Sequence, residues 1–305
     1  MYLITGATGL VGSEVLSTLG KLDDCIVLSR SGGHLPMSRT FRADLADELP
    51  YEIPFDSGVI VHCAAEIRSP NWNDHWATNV AGIRNLLEFA VARKARRFIF
   101  VSTGGVYQAG HDGIRASETD LPSPRGPYAH SKLIAEDICR AYGDIFGLEI
   151  VIFRLYFPYA NNKSSGIFSL IEKSIRSGQV IKLNNGGLPR ITPVALSDAV
   201  TAIELASRSE FPAGTYNLCG DEALSFLEIV RATETALRKQ AITVATGADS
   251  FEIMGANTKL KSQGWSPKIS FSDYLRGLGC VDIHASQMMA AARATKEAKR
   301  SASLS

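Results

Sequence analysis

The stretch "YLITGATGLVGSEVL", Tyr2 to Leu16, sets three glycines, Gly6, Gly9 and Gly12, between a short apolar run and a helical pattern. Nothing else in the chain constrains its folding as much. Glycines permit a tight turn out of a strand, let backbone approach a bulky anion, and allow the next helix to pack close to that strand. The helix N-terminus adds N–H groups without intrahelical partners and the positive end of a dipole. Turns use glycine for positive φ without any ligand, so the trio alone is weak. Its place at the first strand-to-helix junction favours a dinucleotide site.

The first half keeps one rhythm. Tyr2 to Thr5, Cys25 to Leu28, Val59 to Cys63, Phe98 to Ser102 and Ile150 to Phe153 are short runs, apolar on both faces and each followed by a turn. They predict buried strands. Helical patterns fall at Val11 to Leu19, His75 to Ala92 and Ser131 to Phe146, the last with Leu133, Ile138 and Tyr142 as its inner stripe. Strand, helix, strand in repetition predicts an α/β fold with a doubly wound parallel sheet. After Tyr156, "ANNKSSG" and "LNNGGLPR" supply turn-rich connections around a helix at Phe168 to Ser177, which predicts a smaller lobe. The stretch from about Val194 to Ala206 is helical again and is expected to return to the large sheet. The divisions are 1–158, 159–285, and a small basic tail over 286–305, read as a frayed helix or tail rather than a functional arm.

Composition enters mainly by exclusion. Of 305 residues, 45% are hydrophobic and 21% charged, with a net charge of +1. That balance provides no basic field for nucleic acid, and no nucleic-acid partner is expected. The five cysteines are scattered, with no CxxC spacing, so neither a disulfide framework nor a metal site is indicated. Met1 leads straight into a strand pattern, and no run of about 18 apolar residues occurs. The expectation is a cytoplasmic protein with no membrane partner.

Two further clusters carry chemistry. "PYAHSK" sets Tyr128 and Lys132 four residues apart on one helix face, where an ammonium would stabilise a phenolate and lower the tyrosine's pKa toward useful pH. Upstream, "FIFVSTGGVY" ends a strand with Ser102 and Thr103, hydroxyls able to polarise a carbonyl. The second strand, "CIVLSRSGG", ends in Ser29 and Arg30 where an NAD site wants a carboxylate. A guanidinium suits a 2'-phosphate, which favours NADP(H) and keeps NAD(H) possible; the alternative is a surface arginine. Asp44, in "FRADLAD" after a third strand, accepts from an adenine amino group or caps a helix.

With "VIVHCAA", "NVAGIRNLLEFA", "RFIFVSTGGVY", "YAHSK" and "YNLCG" following the glycine motif in order, the chain resembles an extended short-chain dehydrogenase/reductase of the NAD-dependent epimerase/dehydratase family, sugar-nucleotide group, over nearly its whole length. The resemblance implies a Rossmann sheet with a smaller C-terminal α+β substrate lobe. It also implies cofactor contacts at Gly6, Thr8, Gly9, Leu10, Val11 and Gly12, at Ser29 and Arg30, at Asp44 and Leu45, and at Ala64, Ala65 and Ser102. Asn79 would hold the helix behind the catalytic strand. Tyr128 would move the proton, Thr103 would bind the reacting oxygen, and Lys132 would bind the nicotinamide ribose while depressing Tyr128. Hydride would pass between a sugar carbon and nicotinamide.

Members that dehydrate carry an Asp-Glu pair after the catalytic threonine; here Gly104 and Gly105 stand there, which disfavours dehydration. Net reduction of a ketone, on a 4-keto-6-deoxy sugar, is preferred to epimerisation because of Ser29 and Arg30; a catalytically silent cofactor sensor is the remaining alternative. On the substrate side, Phe157 replaces an asparagine that contacts sugar-nucleotide phosphates in relatives, leaving room for a less polar ketone. Arg190 matches an arginine that pairs with the diphosphate, or is a solvated loop residue. Asn161, Asn162 and Lys163 are left undecided, and Trp72 and Trp76 pack the helix entry or wall the sugar site. His62 is read as core, and Cys63 is not proposed as a nucleophile. The resemblance further implies a homodimer through helices at about 80 to 93 and 131 to 146.

Overall fold

In the computed structural model, which describes residues 1–107, 113–161, 163, 165–247 and 252–278, alternating strands and helices build one large sheet. Its strands are β1 (Tyr2–Thr5), β2 (Cys25–Ser29), β3 (Arg39–Arg42), β4 (Val59–His62), β5 (Arg97–Thr103), β6 (Glu149–Leu155) and, later in the chain, β11 (Gly214–Leu218). They lie in the order β11-β6-β5-β4-β1-β2-β3, every pair parallel. The order reverses direction between β1 and β4, and an open α/β sheet takes ligands in the crevice beyond the carboxyl ends at such a point.

The inner strands are apolar on both faces because helices cover both; the edge strand β3, Arg-Thr-Phe-Arg, is exposed at its two ends. Ile4, Val27, Val61, Ile99 and Val151 point to one side, against α1 (Leu10–Leu19) and α6 (Leu196–Ala206). Their neighbours Leu3, Ile26, Ile60, Phe98 and Ile152 point to the other, against α3 (Gly82–Ala92) and α4 (Gly126–Phe146). Such fully buried aliphatic and aromatic side chains contribute roughly 1.5–3 kcal/mol each.

The single helix expected over His75 to Ala92 is three pieces: α2 (Trp72–His75), a π-helical turn over Trp76–Ala81, and α3. The π turn buries Asn79, and such turns recur at functional sites. Helix α4 starts at Gly126, five residues before the expected Ser131, with Pro127 in its first turn, and stops at Gly147 in the left-handed conformation. Its buried face is Ala129, Ser131, Lys132, Ala135, Glu136 and Cys139; of the expected stripe, half-buried Ile138 and Tyr142 pack on the core layer beside α3, and Leu133 packs on a small cluster around Tyr107 and Tyr156. The inner face is mixed: Ala135 and Cys139 join the apolar layer on that side of the sheet, while Lys132 and Glu136 reach Phe100, Ser102 and Arg154.

The smaller lobe holds β7 (Pro158–Tyr159), α5 (Ile167–Ser177), β8 (Val180–Asn184), β9 (Arg190–Ile191), β10 (Val194–Ala195), β12 (Leu224–Ser225), α7 (Phe226–Leu237) and β13 (Ile242–Thr246), while α8 (Thr258–Lys261) packs back on β11 of the large sheet. Its core gathers Tyr159, Phe168, Ile171, Ile175, Ile191, Ile229 and Phe271. The chain returns to the large sheet through α6 and also through β11, which the sequence reading leaves in the small lobe. The tail over 286–305, Asn162 and Cys280 lie outside the described residues. Among the described residues no helix is long and apolar enough to cross a membrane.

Candidate active site

The glycine turn leaves β1 with Gly6 at φ +71°. A Cβ on Gly6 would stand 2.6 Å from the Ala64 nitrogen, and one on Gly12 would stand 2.2 Å from the Gly6 carbonyl oxygen. Both positions therefore admit only glycine: the turn presses flat against the segment after β4, and α1 sits directly on the turn. The result is a cavity of about 430 Å³ bounded by Gly6 to Gly12, Ser29, Arg30, Asp44, Leu45, Ala64 and Ala65. Backbone amides at a helix N-terminus and an exposed guanidinium on the rim are donors that fit a phosphate-bearing dinucleotide. Asp44, which lines this cavity, caps a turn and not a helix: its Oδ1 accepts from the Ala46 N–H at 3.0 Å.

A second cavity, about 590 Å³, shares Val11, Cys63, Ala65 and Ile67 with the first, so the two form one continuous cleft. Ser102, Thr103, Tyr128, Lys132 and Phe157 all line it. Thr103 and Tyr128 are joined by a side-chain hydrogen bond that lowers the tyrosine, but burial dominates and pushes Tyr128 up to about 12. Lys132 differs from expectation. Its Nζ stands 4.0 Å from the centroid of the Phe100 ring, and burial pulls it down to about 8. Tyr128 is thus raised and not depressed: Thr103 offsets only part of the rise, and the Lys132 ammonium rests on the Phe100 ring.

Ser102 also has another task. Its hydroxyl donates to Glu136 Oε1 at 2.6 Å, and the same buried carboxylate takes Arg154 and Arg140, each at 2.6 Å. Arg154 in turn donates to the Tyr107 hydroxyl. Asn79 accepts from the Glu66 N–H (2.8 Å) and donates to the Glu66 carbonyl and to Ser131 Oγ, both at 2.9 Å, tying the segment after β4 to α4. Buried His75 lies within 3.1 and 2.7 Å of the Glu66 and Ser69 carbonyl oxygens, its ring 6.3 Å from that of Tyr128. Sequence reasoning passed over Glu136, Arg154 and His75. For Glu136 a signal existed: it follows Lys132 by one helical turn on the same face.

Phe157 has φ +38°, in the left-handed region that disfavours bulky side chains, at a cost of roughly 1–3 kcal/mol. Arg190 is exposed on β9 and lines neither cavity. Trp72 and Trp76 are exposed, Trp72 edge-on to His130 at 5.7 Å. His62 is buried, 2.7 Å from Thr5 Oγ1 and stacked on Phe100, with its pKa well below the usual range through burial. Burial likewise pushes the Cys63 thiol up to about 12, which keeps it protonated and unreactive at neutral pH.

Comparison with known proteins agrees with this geometry. The model of the NAD dependent epimerase/dehydratase family matches residues 2–219. The chain is similar to the low-salt glycan biosynthesis protein Agl12 of Haloferax volcanii, 30% identical across 92% of this chain and 97% of that one. It is 25% identical to the GDP-6-deoxy-D-mannose reductase of Pseudomonas aeruginosa, covering 90% and 94% respectively. Among solved structures, the UDP-glucose 4-epimerase of Thermus thermophilus in complex with NAD superposes with a TM-score of 0.81 at 26% identity, covering 91% and 97%.

Proposed function

Because the chain belongs to the NAD-dependent epimerase/dehydratase family, we propose that it is an NADPH-dependent reductase of a ketone carried on a sugar nucleotide, working as a homodimer. The observation that carries this reading is the continuous cleft, with Arg30 on the rim of one end and Thr103, Tyr128 and Lys132 lining the other. Relatives named for UDP-glucose and GDP-6-deoxy-D-mannose support the sugar nucleotide.

A bound nicotinamide would supply the hydride. The protein's residues do the rest. Tyr128, held as the neutral phenol, carries the proton that the carbonyl oxygen must receive as its carbon is reduced. Thr103 hydrogen-bonds the same oxygen, so the developing charge meets two donors in a water-poor wall. Lys132 stands behind them on α4, one turn from Tyr128, to bind ribose hydroxyls. The glycine loop and Arg30 hold the phosphates.

The crowding at Gly104 speaks against dehydration. A Cβ on Gly104 would stand 2.4 Å from the Tyr156 ring, itself fully buried, so the acid that elimination needs cannot be added there. Epimerisation remains the second reading, favoured by the similarity to an epimerase that holds NAD. The test is to release and weigh any nucleotide carried by the purified protein, then follow NADPH oxidation with nucleotide-linked keto sugars. Stoichiometric, tightly held NAD would favour the epimerase. Tyr128→Phe should lower turnover about 10²–10⁴-fold; an unchanged rate would refute the catalytic reading.

A further inference from the structure

Phe157 combines three features that do not ordinarily coincide. It is a bulky residue at φ +38°, it precedes a proline, which pushes the preceding residue toward extended backbone, and its side chain lines the catalytic cavity. Neighbouring structure holds it there: the Val194 N–H donates to the Phe157 carbonyl, and Pro158 and Tyr159 pair with Val194 and Ala195. Strained conformations that persist in this way cluster at functional sites. Its position is close to the chemistry, since Thr103 pairs with Leu155 in the register of β5 and β6 and Phe157 leaves the sheet two residues later.

The ring does not stand alone. It meets Phe226 edge-on at 6.4 Å and packs with Ile167 and Ile253 on the core of the small lobe. Ile167, Ile253 and Pro158 line the same cavity, so the lobe's core surfaces inside the cleft as an apolar patch. A substrate hydroxyl laid against that patch would lose its hydrogen bonds to water without replacement. A methyl or methylene group laid there would be favoured instead.

We infer that Phe157 is a specificity-determining residue that selects deoxy-sugar nucleotides, whose methyl-bearing face lies on the patch formed with Pro158, Ile167 and Ile253. The inference rests on the sugar-nucleotide reading above and names its substrate class. The experiment compares UDP-glucose with UDP-6-deoxyglucose, in the oxidation direction with NADP⁺, for the native protein, Phe157→Asn and Phe157→Ala. Asparagine tolerates left-handed backbone, so the first variant keeps the fold; melting temperature and NADP⁺ titration check both.

The native protein should prefer the deoxy compound by about tenfold or more in kcat/KM. Both variants should bring the ratio to within about threefold, chiefly through a higher KM for the deoxy compound. An unchanged ratio in folded variants that bind NADP⁺ would overturn the role of Phe157. Failure of the native protein to oxidise either sugar, with NADP⁺ bound, would instead overturn the sugar-nucleotide reading and this inference with it.

Discussion

At Arg30 the proposed preference for NADPH rests on one charge. The guanidinium is exposed on the rim of the glycine-loop cavity, and a charge-assisted bond to a 2'-phosphate is worth about 1.5–3 kcal/mol. Arg30→Asp should therefore cost about ten- to a hundredfold in kcat/KM with NADPH while improving NADH; equal constants before and after would dismiss the 2'-phosphate role. Lys132 supports a prediction on stability. Its folded pKa of about 8 lies below the ordinary 10.5 because it is buried. Between those values the unfolded chain binds more protons, so stability rises with pH across that window, and the cost of burying the ammonium is fully present below pH 8. Its full size is about 3 kcal/mol. Lys132→Met removes that cost: in urea unfolding the variant's advantage over the native protein should shrink steadily between pH 7 and pH 10, and a constant difference would contradict the burial argument. Tyr128 and Lys132 were legible from spacing alone, since four residues make one helical turn. The direction of the Lys132 side chain was not, because Phe100, from another element, determines where the ammonium rests.

At the scale of the element, α4 carries most of the site and is locked by a residue that does no chemistry. Glu136 is fully buried, and its carboxylate joins α4 to β5 through Ser102 and to β6 through Arg154. Removing one partner of such a pair leaves an uncompensated buried charge, so Glu136→Gln should destabilise the fold by about 3 kcal/mol. A loss below about 1 kcal/mol in equilibrium unfolding would refute the lock. The strands were readable because parallel strands buried on both faces must be apolar throughout. The break of the second long helix into α2, a π turn and α3 was not readable, since it follows from Asn79 reaching Glu66 and Ser131 at once. The inner face of α4 was read in part: periodicity finds Leu133, Ile138 and Tyr142, which do pack on the core, but not the buried Lys132 and Glu136 beside them.

For the molecule as a whole, the large sheet supplies the glycine-loop cavity, and Phe157, Ile167 and Ile253 bring the small lobe to the wall of the cavity that Thr103 and Tyr128 line, the proposed substrate side. The proposed dimer through α3 and α4 predicts a sedimenting mass of about twice the 32.9 kDa chain. Ile145, 71% exposed near the end of α4, is the position at which a charge should shift that mass toward the monomer; a native protein sedimenting as a monomer would exclude the interface. The sequence by itself determined the alternation of strands and helices, the glycine turn, and the placing of Tyr128 and Lys132 one helical turn apart, because each depends on backbone sterics or spacing within a few residues; the choice of Thr103 over Ser102 came from the family resemblance. Only the tertiary structure decided that Gly104 cannot carry a side chain, that Ser102 serves Glu136, that Arg190 lies outside the cleft and that Phe157 faces into it. Those outcomes depend on residues far apart in the chain meeting at one sheet edge, and their contact distances exist only once both layers have packed.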